Sequence, residues 1–423
     1  MNILILAVGS RGDVQPFVAL GIGLQQAGYN VTVAAPALFE AFVRGYGLNF
    51  APLNDGFLKL KDTSAGKAAL EKGRGSGLSL IKQVMPLLRE LIADAWTAAQ
   101  GADAVIYHPK SLIGAHLGEA LNVPVIMSLP LPLSTPTRAF PLPIMPDWKL
   151  GGAFNRFTYR LMPLMTAMYG GVVNDWRKSV GLPGRSRFAS ELVKPDGSPM
   201  PTLYAFSPLV VPPPSDWNAV THVTGYWHLP PERDWQPPAD LLDFLDGGAP
   251  PVYIGFGSMV SADPTAKARL IVDAVTQAGL RAVLATGWGA LDAGELPDSI
   301  HVLQEAPHEW LFPRMAAVVH HGGAGTTAAG LTAGKPSIIC PFIADQPFWG
   351  RRVEQLGVGP APIPQGKLSA ARLADALKVA VSDAGMRERA AALGDKLRAE
   401  DGVANAVGLV KRYAGEPVRT PQP

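Results

Sequence analysis

At 423 residues the chain exceeds the ~100–200 of a usual single domain, which predicts two packed domains. Hydrophobic residues at 48% and charged residues at 17% exclude a disordered chain, and Lys+Arg 37 against Asp+Glu 35 is too balanced for a protein that wraps nucleic acid through its phosphates. The one cysteine, Cys340, excludes an internal disulfide and fits a reducing compartment.

Residues 2–8 read as a short buried strand, too short for a signal core, and residues 14–27 repeat apolar side chains at helical spacing. Residues 30–35, 102–107 and 123–128 read as further strands, with a helical segment at 111–121 between the last two. Two stretches break the pattern: 56–77, with Gly, Lys and Ser in excess, and the proline-rich 129–146. Loops of this length in a compact protein are often functional lids. Ten prolines fall from Pro208 to Pro251. Proline removes backbone donors and stiffens extended chain, so 208–240 is predicted to be a connector rather than sheet. The alternation restarts at 251–255 and continues through strands at 281–285, 316–320 and 337–340, and 369–413 reads as helices.

Strands alternating with helices predict parallel sheets covered on both faces. The expected fold is therefore α/β, with two Rossmann-like doubly wound domains facing a central cleft. The expected limits are 1–207 for the first domain, 208–240 for the linker, 241–400 for the second domain, and 401–423 for a helix and tail crossing back to the first domain. No uninterrupted apolar run approaches the ~20 residues that span a bilayer. The expectation is a soluble, cytoplasmic protein.

The strongest chemical signal is His320-His321-Gly322-Gly323-Ala324-Gly325-Thr326-Thr327, where an apolar strand ends in a glycine-rich turn and a helix begins. Such a turn lets backbone N–H groups approach an anion, and the helix start adds its positive end. It lacks the Gly-Lys-Ser/Thr ending of a Walker loop. A packing turn is the competing reading. A second turn, Gly255-Phe256-Gly257-Ser258, also follows a strand. Two such turns on one sheet line one crevice, where open α/β sheets bind ligands. In the first half, Gly9-Ser10-Arg11-Gly12-Asp13 sets Asp13 just past the first strand, either as a helix cap or as a general base. Asp345-Gln346 follows a strand end, where an acid and an amide can bind vicinal hydroxyls or cap the next helix.

These motifs, in this order, resemble the family 1 GT-B glycosyltransferases, which use nucleotide sugars and invert the anomeric centre. Residues 9–16 are similar to the opening of the sterol glucosyltransferase and bacterial antibiotic or macrolide branch, and 307–313 with 320–327 and 341–346 resemble its donor signature. The resemblance implies that His321, Gly323, Gly325 and Thr326 hold the donor diphosphate with Ser258 assisting, and that Asp345 and Gln346 bind the sugar. It implies that Asp13 takes the proton from the acceptor hydroxyl. Plant relatives place a histidine base where this chain has Asp13, with an orienting aspartate at a later strand end. His108 stands near that strand end here and suggests a reversed pair, the bland alternative being a cap of the strand end before Pro109. Glu305 stands where the plant signature has a base-stacking tryptophan, and Ala329 where it has a ribose-binding acid, so His308 is a candidate for the base pocket.

Phe140, Met145 and Trp148 are the acceptor-side candidates, in an apolar, methionine-rich stretch reaching Met168 that suits a sterol, polyketide or flavonoid-like alcohol. UDP-glucose is the expected donor, with no metal and no further cofactor. A thymidine-diphosphate sugar (rhamnosyl-type) transferase acting on a lipid is the alternative, and a non-catalytic nucleotide-binding partner is a third reading. The expected partners are the donor and a lipophilic small molecule, with no nucleic acid, in a monomer or homodimer. A peripheral membrane contact through 129–165 suits an enzyme of lipids, although no basic amphipathic helix announces it.

Overall fold

The structure is a computed structural model and describes residues 1–56, 77–230, 235–257, 264–286 and 296–416. The first domain carries strands β1 (Asn2–Leu6), β2 (Asn30–Pro36), β3 (Asn49–Leu53), β4 (Ala104–Tyr107), β5 (Val125–Leu129), β6 (Thr202–Tyr204) and β7 (Thr221–Val223). They form one parallel sheet ordered β3-β2-β1-β4-β5-β6-β7. Along β1 the side chains alternate between two cores: Ile3 and Ile5 pack with Val14, Phe17 and Val18 on one face, and Leu4 and Leu6 with Val105, Tyr107 and Met127 on the other. Burial on both faces explains why the strands read as unbroken apolar runs.

The second domain repeats the plan in β8 (Val252–Gly255), β9 (Ala282–Ala285), β10 (Ile300–Leu303), β11 (Val318–His320) and β12 (Ser337–Ile339), ordered β10-β9-β8-β11-β12 and again parallel. In each sheet the chain steps outward from a central strand to one side and then returns to the other. The reversal falls between β1 and β4 in the first sheet and between β8 and β11 in the second. Ligands of open α/β sheets bind beyond the strand ends at such a switch point. The turns after β1, β4, β8 and β11 all carry residues expected from the sequence to act chemically.

The expectation of a strand-free connector at 208–240 is corrected at β7, which pairs with β6 in parallel register. Thr221-His222-Val223 is a proline-free trio inside the proline-rich stretch, so its donors are intact and it adds to the sheet edge. The helix Gly402–Ala414 lies against the helix Arg11–Gln26, with Ala406 and Val410 in the first domain's core. Asn405 Nδ2 donates to Thr224 O at 2.9 Å, and the Tyr29 hydroxyl donates to Gly415 O at 2.7 Å. The long loop expected at 56–77 lies, beyond its two ends, outside the described residues.

Candidate active site

The helix Arg11–Gln26 starts three residues earlier than its apolar repeat, because Ser10 and Asp13 close its first turn. Asp13 Oδ2 accepts from the Ser10 backbone N–H at 2.9 Å and from the Ser10 hydroxyl at 3.1 Å. Capping is thus one of its tasks. The other oxygen faces the strand switch. Oδ1 accepts from the Lys110 ammonium at 2.7 Å and lies 3.9 Å from His108 Nε2. Burial pushes the Asp13 pKa up, but Lys110, His108 and the hydrogen bonds from Lys110 and Ser10 outweigh it and hold the carboxyl below the ordinary aspartate range.

His108 continues the sheet one residue past β4, its N–H donating to Leu6 O at 2.9 Å. Its Nδ1 accepts from the Lys110 backbone N–H at 3.1 Å, so the ring proton sits on Nε2, a buried atom with no hydrogen-bond partner that points toward Asp13. Burial, with Lys110 adding and Asp13 opposing, lowers its pKa to about 3. The strand-end cap and the proximity to Asp13 therefore coexist in one neutral ring. Lys110 carried no signal in the sequence, because it meets Asp13 only through the β1–β4 pairing.

In the second domain Gly323 precedes the helix Ala324–Thr332, whose first N–H groups lack intrahelical partners by construction. Gly325 and Thr326 stand in that first turn, exposed and half-buried, while the Thr327 hydroxyl bonds back to Gly323 O at 2.9 Å and is structural. A Cβ on Gly323 would lie 2.5 Å from His321 Nε2, so only glycine lets the ring and the helix start share this space. The other side of the His321 ring meets the second turn, 3.2 Å from where a Cβ on Gly257 would be. The two turns do line one crevice. Burial lowers the His321 pKa to about 4, leaving a neutral ring whose Nδ1 has no hydrogen-bond partner among the described residues. Ser258 lies outside the described residues.

His308 stacks on Phe312 with ring centres 4.3 Å apart, and its pKa falls to about 4 through burial, Arg11 and His321. Glu305 is exposed and reaches across the cleft to Arg11, Nη1 to Oε1, at 2.7 Å. Asp345 precedes the helix Gln346–Gln355 but its side chain does not cap it; Oδ2 accepts from Trp349 Nε1 at 2.8 Å. Burial raises its pKa, Asp13 adds repulsion, and the Trp349 bond and Lys110 oppose. That mutual influence follows from packing: Trp349 meets Phe206 and Phe348 meets Phe140, docking this helix on the first domain. Gln346 Oε1 accepts from Phe342 N at 2.7 Å and Ile343 N at 3.2 Å, so its carbonyl is committed to holding the turn.

On the acceptor side, Phe140 faces the cleft through its contact with Phe348, and Met145 is half-buried. Trp148 is more than half exposed and rests on Phe154. Among the described residues no group of three or more His, Cys, Asp or Glu could hold a metal, and no helix is long and apolar enough to cross a membrane.

Residues 3–141 match the glycosyltransferase family 28 N-terminal domain, and residues 270–409 match the C-terminal domain of erythromycin biosynthesis protein CIII-like proteins. The sterol 3-beta-glucosyltransferase of Emericella nidulans is 40% identical over 97% of this chain, and that of Cryptococcus neoformans 37% over the same share. The chain spans about 30% of the length of the Emericella protein and 27% of the other. Among solved structures, the glycotransferase of kitacinnamycin overlays with a TM-score of 0.72 at 20% identity, covering 98% of this chain and 99% of that one. The spinosyn rhamnosyltransferase SpnG complexed with thymidine diphosphate overlays with a TM-score of 0.63 at 20% identity, covering 97% and 100%. Two parallel sheets wound on the same plan and the near-complete overlays give the chain the GT-B fold of those glycosyltransferases, and its two halves match the two domain models in that order.

Proposed function

We propose that the chain is an inverting glucosyltransferase that moves glucose from UDP-glucose to the hydroxyl of a sterol or similar lipophilic alcohol in the cytoplasm, without a metal. The observation that carries this reading is the 40% identity, across 97% of the chain, to a protein named a sterol 3-beta-glucosyltransferase. The chemistry of the cleft supports it.

In this reading Asp13 Oδ1 removes the acceptor proton as the acceptor oxygen attacks the anomeric carbon from the face opposite the diphosphate. The anomeric C–O bond then breaks and the nucleoside diphosphate leaves with its bonding electrons. Negative charge develops on that leaving group, and the free N–H groups of Gly325 and Thr326, the Thr326 hydroxyl and an N–H of neutral His321 stabilise it where it forms. A depressed pKa keeps Asp13 ionised and ready at neutral pH. Asp345 and the amide end of Gln346 hold sugar hydroxyls, and His308 stands at the nucleoside end. His108, neutral with its Nε2–H toward Asp13, steadies the carboxylate rather than taking the proton itself.

The test is transfer from UDP-glucose and from dTDP-rhamnose to a panel of sterols, flavonoids and macrolactones, with and without a chelator. A glucosylated sterol formed from UDP-glucose, insensitive to chelation and lost in Asp13→Ala and His321→Ala, is the expected result. Turnover of dTDP-rhamnose alone would replace the donor assignment. Nucleotide binding without any transfer would favour the auxiliary reading.

A further inference from the structure

The helices Gly152–Thr158 and Leu161–Thr166 and the single 3-10 turn Ala167–Tyr169 run on almost without a break, since Tyr159 and Arg160 between them keep right-handed helical angles. The inner face is packed: Thr158 and Tyr159 are buried, and the Thr158 hydroxyl accepts from Leu142 N at 2.8 Å. The outer face is not. Phe157, Leu164 and Met168 are each more than half exposed, at positions i, i+7 and i+11 of one stripe, and Arg160 stands between the first two with its guanidinium 5.6 Å from the Phe157 ring centre. Exposed Leu150 adjoins the stripe at one end and exposed Phe188 at the other, the latter beside Arg187, which abuts Gly170.

The helical run itself, residues 152–169, carries only cations. Arg156 is paired with Asp216 at 3.4 Å and Asp175 with Arg89 at 3.7 Å, but among the described residues Lys149, Arg160 and Arg187 have no carboxylate partner. Contiguous exposed apolar side chains rimmed by unpaired cations fit an anionic lipid surface, where the apolar groups enter the headgroup boundary and the cations meet phosphates. The same helical run faces the other way toward the chemistry: Thr166 and Tyr169 line a small cavity with Tyr107 and Pro109, which flank His108.

We infer that this outward stripe, Phe157–Arg160–Leu164–Met168, docks the first domain on an anionic membrane surface. It thereby brings the acceptor side of the cleft to the phase in which a lipophilic alcohol resides. The inference rests on the acceptor being lipid-borne, but its assay reads no sugar transfer, so the two readings fail separately.

The experiment is flotation with vesicles of neutral phosphatidylcholine and with vesicles in which about a third of the lipid is phosphatidylserine. The wild-type chain is expected to float with the anionic vesicles and to be released by roughly half-molar salt, where charges are screened within a few ångströms. The triple variant Phe157→Ser, Leu164→Ser, Met168→Ser is expected to lose binding about tenfold or more, and Arg160→Glu to weaken it on anionic vesicles alone. Unchanged thermal unfolding in the variants shows that the loss is not misfolding. Wild type that stays unbound, or a triple variant that floats as well as wild type, would overturn the inference. So would a wild-type dimer that the triple variant turns into a monomer without any vesicle binding, since the stripe would then be a contact between copies.

Discussion

The Lys110 ammonium sits 2.7 Å from Asp13 Oδ1, the oxygen that faces the cleft, while Oδ2 is held by Ser10. One carboxylate therefore divides its two oxygens between the helix start and Lys110, and the proposed base is the oxygen that Lys110 holds. The cation beside Oδ1 lowers the Asp13 pKa. Lys110→Ala is expected to move the acid limb of the kcat/KM profile to higher pH, because a neighbour that favours the ionised form is gone. A profile that stays in place, measured across the acid limb, would exclude this coupling.

The two tasks of Asp13 separate by substitution. Asp13→Asn keeps an acceptor for the Ser10 N–H but not a base, so turnover is expected to fall by roughly 10²–10⁴ with thermal stability nearly intact. Asp13→Ala also removes the cap and is expected to cost about 1 kcal/mol more in stability. Calorimetric melting beside single-turnover kinetics reads both.

His108 has a pKa lowered to about 3 by burial, so it is neutral wherever the enzyme works. The profile between pH 5 and 8 is expected to show no limb that disappears in His108→Asn, while kcat drops several-fold as Asp13 loses its neighbour. Turnover unchanged in His108→Ala would end the idea that the two act as a pair.

Gly323→Ala leaves the backbone angles allowed but drives a methyl into His321. Overpacking of this kind costs about 1–3 kcal/mol. Since the displaced groups are the proposed phosphate donors, the effect is expected mainly as weaker binding of uridine diphosphate, by roughly tenfold or more in titration calorimetry.

Arg177 is buried and forked onto Glu119, Nη1 to Oε2 at 2.5 Å and Nη2 to Oε1 at 3.0 Å. Glu119→Ala strands that cation and is expected to cost about 3–5 kcal/mol in denaturant unfolding. The Arg177 hydrogen bond lowers the Glu119 pKa, so its contribution is full above the unfolded value and fades as pH falls through the folded one. The variant is therefore expected to lose less stability than wild type on acidification.

The doubly wound sheets were legible because parallel strands buried on both faces leave unbroken apolar runs, and the glycine turns because close approach of backbone to ring excludes side chains. Asp13 was legible as the closing residue of a helix start three residues after Ser10, and the His321 turn through its glycines. Lys110 was not, since nothing local distinguishes a lysine after a strand from any surface lysine until β1 and β4 pair. The stretch that holds Phe157, Leu164 and Met168 read as an acceptor surface by composition, and spacing alone does not tell an outward face from an inward one. Only the burial of Thr158 and Tyr159 on the opposite side shows which way the helix faces. The three residues of β7 were masked by the prolines around them.

The helix Gly402–Ala414 completes the core beneath the helix that carries Asp13. A fragment cut at the proline-rich stretch would uncover the first helix at Gly23, against which Val403 and Val407 now lie, and would remove Ala406 and Val410 from the core. The first domain is thus a discontinuous folding unit, closed by the far end of the described chain. Dissecting the enzyme into separately expressed halves requires that this helix be supplied with the first half rather than the second.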